Sequence, residues 1–524
     1  MRRNLLSLLG LLILVLIFAG SAILFLPIPF TRDQGIYAYV AWCWLGEWWP
    51  YQYAFEHKGP WLYLIYAIFL KLSRGAMWGP NLADLLSRMA TVILLWILAK
   101  RMFNQKIAFL ASLSASIPLL CVFSSCWWNA QAETFIMPLS VLSPLLVLEA
   151  VKSKNSGVQK FFCFIAGLVL SQMLMLKPSG LGLIAGLIIF LGIFSARKKK
   201  AILLLTLGLL AGLSLWIFYF RQRGIGREFY EEVILFNLFH LRGLRSPAKD
   251  LGLLLGGELW KTFGPGMILG MAGIYLGFKK AREPVYFLAL IWFCAGWLEL
   301  LAQARFFFYH LLILIPCSAL ILAIGFEGIA GKFQRVWKTL AVLIILVWGL
   351  DSARLYFLIQ KHYQTWEYLK GKIDRGEYYA RFQEPREGTR RDFNAYASWV
   401  AANRIRERTS DKDYVLIFGY EPGINYLSAR RAPSRFHSDY PLDFPPKNQS
   451  AEKLRERWRK IFLSDLEQRK PKLVLLVHND ANALEPIDSY RQARQFPEFQ
   501  DWLIRNYQPG ERIEDFEFWW RIEE

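Results

Sequence analysis

TRDQGIYAYVAWCWLGEWWPYQYAFEHKGPWLYLIY, residues 31–66, follows a long apolar run at 5–26 and is itself too polar and too aromatic for an ordinary connecting loop. It holds one acid at Asp33, a second at Glu56, a His57-Lys58 pair and a dense set of Trp and Tyr. Charge of both signs at a membrane surface, walled by aromatic rings, suits a lipid with a charged, sugar-bearing head group. The rest of the chain decides whether that stretch is a site.

The chain has 524 residues, 55% of them hydrophobic and 16% aromatic, richer in apolar side chains than an average soluble protein. Its formal charge of +20 raises nucleic acid as a partner. The basic residues, however, sit in short clusters between apolar runs, as membrane topology demands, and form no nucleic-acid-binding face. No nucleic acid is therefore expected. The six cysteines (43, 121, 126, 163, 294 and 317) fall in or beside apolar segments and form neither a disulfide framework nor a CxxC metal pattern. Cys121 and Cys126, close in sequence, read as buried and inert.

Apolar runs of spanning length recur at 5–26, 82–99, 107–123, 133–150, 161–176, 180–194, 201–220, 251–277, 284–302, 306–326 and 337–350. A shorter run at 61–70 is about half a bilayer long and fits an interfacial or re-entrant segment. The first run follows Arg2 and Arg3 but has no small-residue cleavage site, so it reads as an anchor. With Arg2 and Arg3 in the cytoplasm, alternate connections should be basic. They are: Lys100, Arg101 and Lys106; Lys152, Lys154 and Lys160; 197–200; Lys279, Lys280 and Arg282; Lys332, Arg335 and Lys338. This pattern predicts about eleven spans, with residues 31–66 and everything after about 351 outside the cytoplasm. The outward connections carry Asp33, Glu56, His57, Lys58, residues 126–133, Lys177, the loop 221–250 and residues 305–310. Glu299, near the outer end of its span, is an exception among the sparse intramembrane charges and reads as lining a cavity.

From about 352 the composition changes. Short apolar runs at 414–418 and 473–477 alternate with helical stretches at 392–407 and 451–466, which predicts a small α/β domain. The turn Phe418-Gly419-Tyr420-Glu421-Pro422-Gly423 lacks the residues of a nucleotide loop. His437 and His478 read as structural or surface residues. The fold expected is thus a mainly α, polytopic transmembrane bundle over 1–351, with an outer loop at about 27–81, and an extracytoplasmic α/β domain over 352–524.

The pattern Asp33-Gln34-Gly35-x-Tyr37-Ala38, then Gly46, Pro50-Tyr51 and His57-Lys58-Gly59-Pro60, resembles the first outer loop of the polytopic GT-C glycosyltransferases. More narrowly it is similar to the bacterial branch related to dolichyl-phosphate-mannose–protein mannosyltransferases and to the aminoarabinose transferases of lipid A. Ala132-Glu133 opening a span, Lys177-Pro178-Ser179-Gly180, and Arg305 to His310 running toward Pro316 fit the same branch, in order. A weaker match lies around 419–431. Many members of the wider family carry Asp-Glu where this chain has Asp33-Gln34, which leaves any role of a second carboxylate there open.

The resemblance implies transfer of a sugar from a polyprenyl phosphate to a hydroxyl of a glycan, lipid or protein acceptor, at the outer face of a bacterial inner membrane. It makes Asp33 the general base of an inverting displacement. Lys58 becomes the first cation for the donor phosphate, with Arg305, His310 and Lys177 secondary. Glu56, His57, Glu133 and Tyr37 are the substrate-binding candidates. No metal or other cofactor is required in this reading, and a divalent cation is left open. Each residue also has a structural alternative. Asp33 fits a helix N-cap, Lys58 a snorkelling lysine, Glu133 a helix start, Arg305 an interface anchor, His310 a satisfied buried histidine and Lys177 a helix end. Two other readings use the same residues: a lipid or glycan transporter or flippase, and a non-catalytic membrane scaffold. A transporter would place its ionisable groups near the midplane.

Overall fold

The computed structural model describes residues 2–120, 130–241, 252, 264, 266–303, 307–330, 363–382, 394–446, 448–481 and 487–523. Among them seven helices are long and apolar enough to cross a membrane: Ser7–Phe25, Trp78–Met102, Ala132–Lys152, Ser156–Leu174, Lys198–Arg223, Pro284–Gln303 and Tyr309–Ile329. Three shorter apolar helices, Gln105–Leu120, Leu181–Phe194 and Gly266–Lys279, fall on further expected spans. The expected span at 337–350 lies outside the described residues, as does most of 251–265. The short run at 61–70 forms the helix Pro60–Leu72, too short to cross a bilayer by itself.

The chain folds as two compact units. The first comprises Met1–Phe25, Asn81–Gln222 and Leu244–His362; the second comprises Leu26–Pro80, Arg223–Gly243 and Tyr363–Glu524. Packing thus groups residues 26–80 and 223–243 with the C-terminal part.

The first unit is helical. Its neighbours approach closely where side chains are small, as lipid-embedded helices require. A Cβ on Gly167 would come within 2.1 Å of the Leu205 carbonyl oxygen, and one on Gly208 within 2.0 Å of the Phe164 carbonyl oxygen. One charged pair is sealed inside this unit. Arg88 donates to Asp84 at 2.9 Å one turn earlier in its helix, with the two side chains 5% and 0% exposed. Its Nη1 also donates to the Leu119 carbonyl at 3.1 Å, tying this helix to Gln105–Leu120.

The second unit is built on a four-stranded sheet. The strands are β1 (Val415–Phe418), β2 (Leu473–Val477), β3 (Tyr507–Ile513) and β4 (Phe516–Arg521), in the order β1-β2-β4-β3. β1 and β2 are the two runs legible in the sequence. They pair in parallel, Val415 opposite Leu473, and every residue in both is buried, as expected for strands covered on both faces. β4 pairs antiparallel with β2 and returns to the edge strand β3. One face packs Phe418, Trp458, Phe462 and Phe499 with Phe55 and Phe236, while the other packs Val415, Ile417, Leu475 and Phe518 against Ala401 and Ile405 of the helix Ala395–Arg408. Phe55, from an irregular segment, and Phe236, from the helical turn Tyr230–Phe236, thus complete the core of the C-terminal sheet. Near the start of the chain, helix Arg32–Leu45 packs on helix Gly423–Ser428 through paired glycines. A Cβ on Gly35 would lie 2.9 Å from the Gly423 Cα, so neither position has room for a larger residue.

Candidate functional site

The cap of helix Arg32–Leu45 decides how Asp33 is presented. Thr31, not Asp33, occupies the N-cap, and Gln34 reaches back so that its Oε1 accepts the Thr31 N–H at 3.2 Å. This corrects the reading of Asp33 as the cap. Asp33 sits instead in the first turn, half-buried, where the exposed N–H groups of the helix favour a negative charge. The glutamine that departs from the Asp-Glu pattern is the partner that closes this cap.

Tyr37 lies one turn further on, at the i+4 spacing that places it on the same helix face as Asp33. Its hydroxyl is bonded to the Lys58 Nζ, which also stands 4.3 Å from the Tyr37 ring centroid. Tyr37 is fully buried, edge-on to Tyr66 at 5.6 Å. Asp33, Tyr37 and Lys58, separated in sequence by 25 positions, are therefore gathered about one helix face.

Residues 55–58 have no regular structure, so each backbone group needs its own partner. The Phe55 N–H donates to the Arg435 carbonyl at 2.8 Å, and the Phe55 carbonyl faces His437 Nε2 at 2.9 Å. The Glu56 N–H donates to Glu232 Oε2 at 3.0 Å. Asn237 Nδ2 donates to the His57 carbonyl at 2.7 Å, and the Tyr51 hydroxyl donates to the Lys58 carbonyl at 2.9 Å.

The Glu56 side chain turns inward. It is 4% exposed and accepts from the His57 N–H at 2.7 Å, with His57 Nδ1 3.0 Å away. Burial pushes its carboxyl up, but Lys58 and then His57 outweigh burial and hold it at about 2, so it is charged at neutral pH. Glu232 behaves oppositely: burial drives its carboxyl well above the usual range, against the pull of Arg435. Burial takes the His437 imidazole down to about 4, leaving it neutral, and a ring nitrogen facing a carbonyl must be the protonated one. Glu232, Asn237, Arg435 and His437 were not legible as partners of this loop. They lie 176 to 382 residues away, and no local pattern marks them.

A second polar cluster lies in the helical unit. Glu133, in the first turn of Ala132–Lys152, has a fully buried side chain. Lys177, just before the short turn Pro178–Gly180, places its Nζ 2.5 Å from Glu133 Oε1, 2.6 Å from Gln303 Oε1 and 3.4 Å from His310 Nε2. His310 is itself 3.7 Å from Glu133. Four elements distant in sequence thus bring together three of the expected residues, and add Gln303. Glu299 is also buried, one turn before Gln303 on the same helix. Arg305 lies outside the described residues, as do Cys121, residues 126–129 and positions 242–250 of the loop at 221–250. Among the described residues no group of three or more His, Cys, Asp or Glu is arranged to hold a metal.

The sequence and the fold can be set against known proteins. Residues 57–218 match the dolichyl-phosphate-mannose-protein mannosyltransferase family. No curated protein matches the sequence. Among solved structures, ArnT from Cupriavidus metallidurans in the apo state superposes with a TM-score of 0.59 at 13% identity, covering 98% of each chain. The same protein bound to undecaprenyl phosphate gives 0.58 at 12% identity, over 98% of this chain and 97% of that one. The oligosaccharyltransferase AglB from Archaeoglobus fulgidus, in complex with an inhibitory peptide and a dolichol-phosphate, gives 0.55 at 13% identity, over 99% of this chain and 74% of that one. At such low identity the structural likeness speaks for the fold. This chain is accordingly an integral membrane protein with the GT-C fold, resembling the dolichyl-phosphate-mannose–protein mannosyltransferases and ArnT.

Proposed function

We propose that the protein transfers a sugar from a polyprenyl-phosphate donor to a hydroxyl of a glycan, lipid or protein acceptor, with inversion. The reaction is placed on the outer side of a bacterial inner membrane, where the C-terminal α/β part also lies. The observation that carries this reading is the gathering of Asp33, Tyr37 and Lys58 about one face of helix Arg32–Leu45. An acid to take the acceptor proton and a cation to meet the leaving phosphate are what such a displacement needs.

In the proposed step the acceptor oxygen attacks the anomeric carbon as Asp33 removes its proton. The bond from that carbon to the phosphate oxygen breaks, and the electron pair leaves with the polyprenyl phosphate. Negative charge grows on the phosphate, and Lys58, already oriented by Tyr37, stabilises it without reorganisation. Lys177 and His310 are secondary candidates for binding a lipid phosphate, with Glu133 beside Lys177, and Glu56, paired with His57, and Tyr37 complete the substrate-binding candidates. Likeness to proteins solved with undecaprenyl phosphate or dolichol-phosphate supports a lipid-phosphate donor.

The test is incubation of the purified protein with polyprenyl-phosphate-linked hexose and pentose donors and a bacterial envelope extract as acceptor. Protein-dependent release of free polyprenyl phosphate, coupled to sugar on the acceptor with inverted anomeric configuration, is expected. Movement of intact donor across a vesicle bilayer without bond cleavage would instead establish the transporter reading.

A further inference from the structure

We propose that Glu232, together with Asn237 and Arg435, is a positioning set that fixes the backbone of residues 55–58 and so aims the Lys58 ammonium at the lipid phosphate. The inference rests on reading Lys58 as the phosphate-binding cation.

Lysine is a point charge on a flexible four-carbon stem, so its usefulness depends on how its base and its tip are held. Tyr37 holds the tip. The base is held by side chains that come from far along the chain. Glu232 lies in the π-helical turn Tyr230–Phe236, and its Oε2 accepts the Glu56 N–H at 3.0 Å. Its other oxygen faces Arg435 Nη1 at 3.2 Å, the two side chains being 0% and 9% exposed. The Arg435 carbonyl takes the Phe55 N–H, and its Nη1 is 3.5 Å from the Tyr51 carbonyl oxygen. Asn237, one step beyond the same turn, holds the His57 carbonyl while its Nδ2 also bonds the Val233 carbonyl at 2.8 Å.

Two features set this apart from ordinary core satisfaction. Burying a glutamate and an arginine costs several kcal/mol in desolvation, which a helix or strand at 55–58 would have avoided by pairing its own backbone. Tyr51, whose hydroxyl anchors the Lys58 carbonyl, also adopts a left-handed backbone with φ 70° that side chains other than glycine rarely take. Its N–H closes a tight turn onto the Ala54 carbonyl at 2.8 Å. The irregular loop is thus clamped at both ends and in the middle, and the residue emerging from the clamp is Lys58.

The experiment compares binding of a short-chain polyprenyl phosphate with that of the matching polyprenol, using the full-length protein in detergent. The ratio of the two affinities isolates the phosphate contribution, and a merely structural change would weaken both ligands alike. Glu232→Ala is expected to reduce the preference for phosphate by about 10-fold while polyprenol binding holds. Glu232→Gln, whose amide oxygen still accepts the Glu56 N–H, should stay within about 3-fold of the wild type. Should Glu232→Ala lose polyprenol binding as well, the half-buried Asn237→Ala carries the test, with an expected drop of about 3-fold. Wild-type preference in both alanine variants overturns the inference, as does a Gln variant as impaired as Ala. A Lys58→Ala variant separates the two ideas. If it keeps the full phosphate preference, the phosphate role of Lys58 fails and the positioning set falls with it. If it loses the preference while the Glu232 and Asn237 variants keep it, only the positioning set is refuted.

Discussion

Replacing Glu56 by glutamine removes a charge that the fold holds far from its ordinary protonation range. The carboxyl stands at about 2 rather than the model-peptide 4.5 because Lys58 and His57 outweigh the cost of burial. That depression corresponds to about 3 kcal/mol of stability at neutral pH, carried by a group that is fully enclosed. The sign follows from the direction of the shift. A depressed carboxyl stabilises the folded state above its unfolded pKa, and the contribution drains away as pH falls from about 4.5 toward 2. Thermal or denaturant unfolding of the wild type and Glu56→Gln, run in detergent from pH 7 to pH 3, reads this directly. The gap between them should be largest at neutral pH and shrink to about half near pH 3. The glutamine amide oxygen still accepts the His57 N–H, and any weakening of that contact is independent of pH and leaves a constant offset. A gap that does not change across this range would refute the argument that Lys58 and His57 hold Glu56 ionised.

Three further predictions concern buried contacts in the two units. Gly35→Ala places a methyl 2.9 Å from the Gly423 Cα, so helices Arg32–Leu45 and Gly423–Ser428 must separate; a loss of about 1–3 kcal/mol in unfolding free energy is expected, and a neutral result would contradict the close approach. Lys177→Met leaves the fully buried Glu133 without its cation and should cost about 3–5 kcal/mol, whereas adding Glu133→Gln should recover more than half; a double variant no better than the single one would show that the pair is not coupled. Asp439 is fully buried, and burial, then the neighbouring Asp480, push its carboxyl up. A raised carboxyl favours the fold in acid and loses that support as pH rises, so Asp439→Asn should stabilise by about 1–2 kcal/mol more at pH 8 than at pH 5. An identical offset at both pH values would count against it.

Much of the architecture is written locally. Apolar runs of spanning length and basic clusters between them marked the helices, because a bilayer demands about 20 apolar residues and orients positive charge. β1 and β2 showed as apolar runs because both their faces are covered. β3 and β4 did not: Tyr507–Ile513 carries Pro509, Gly510 and two charges on an edge strand largely open to solvent, so no alternation marks it. In the candidate site, the i+4 relation of Asp33 and Tyr37 was readable as a helix face. The role of Gln34 in closing the cap, by contrast, needed the position of Thr31. His437 had the look of a structural residue, and it is one, buried against the ring of Tyr39 at 4.9 Å and bonded to Phe55. Its partner could not be named in advance, since contacts across hundreds of residues leave no periodicity behind.

The measurement closest to the central claim is sugar transfer by the Asp33→Asn variant, with polyprenyl-phosphate binding measured on the same protein. The substitution keeps the size and the helix position and removes the base. Transfer should fall by about 100-fold or more while lipid-phosphate binding stays at the wild-type level. Transfer at the wild-type rate would remove Asp33 from the chemistry and contradict the mechanism proposed for this site.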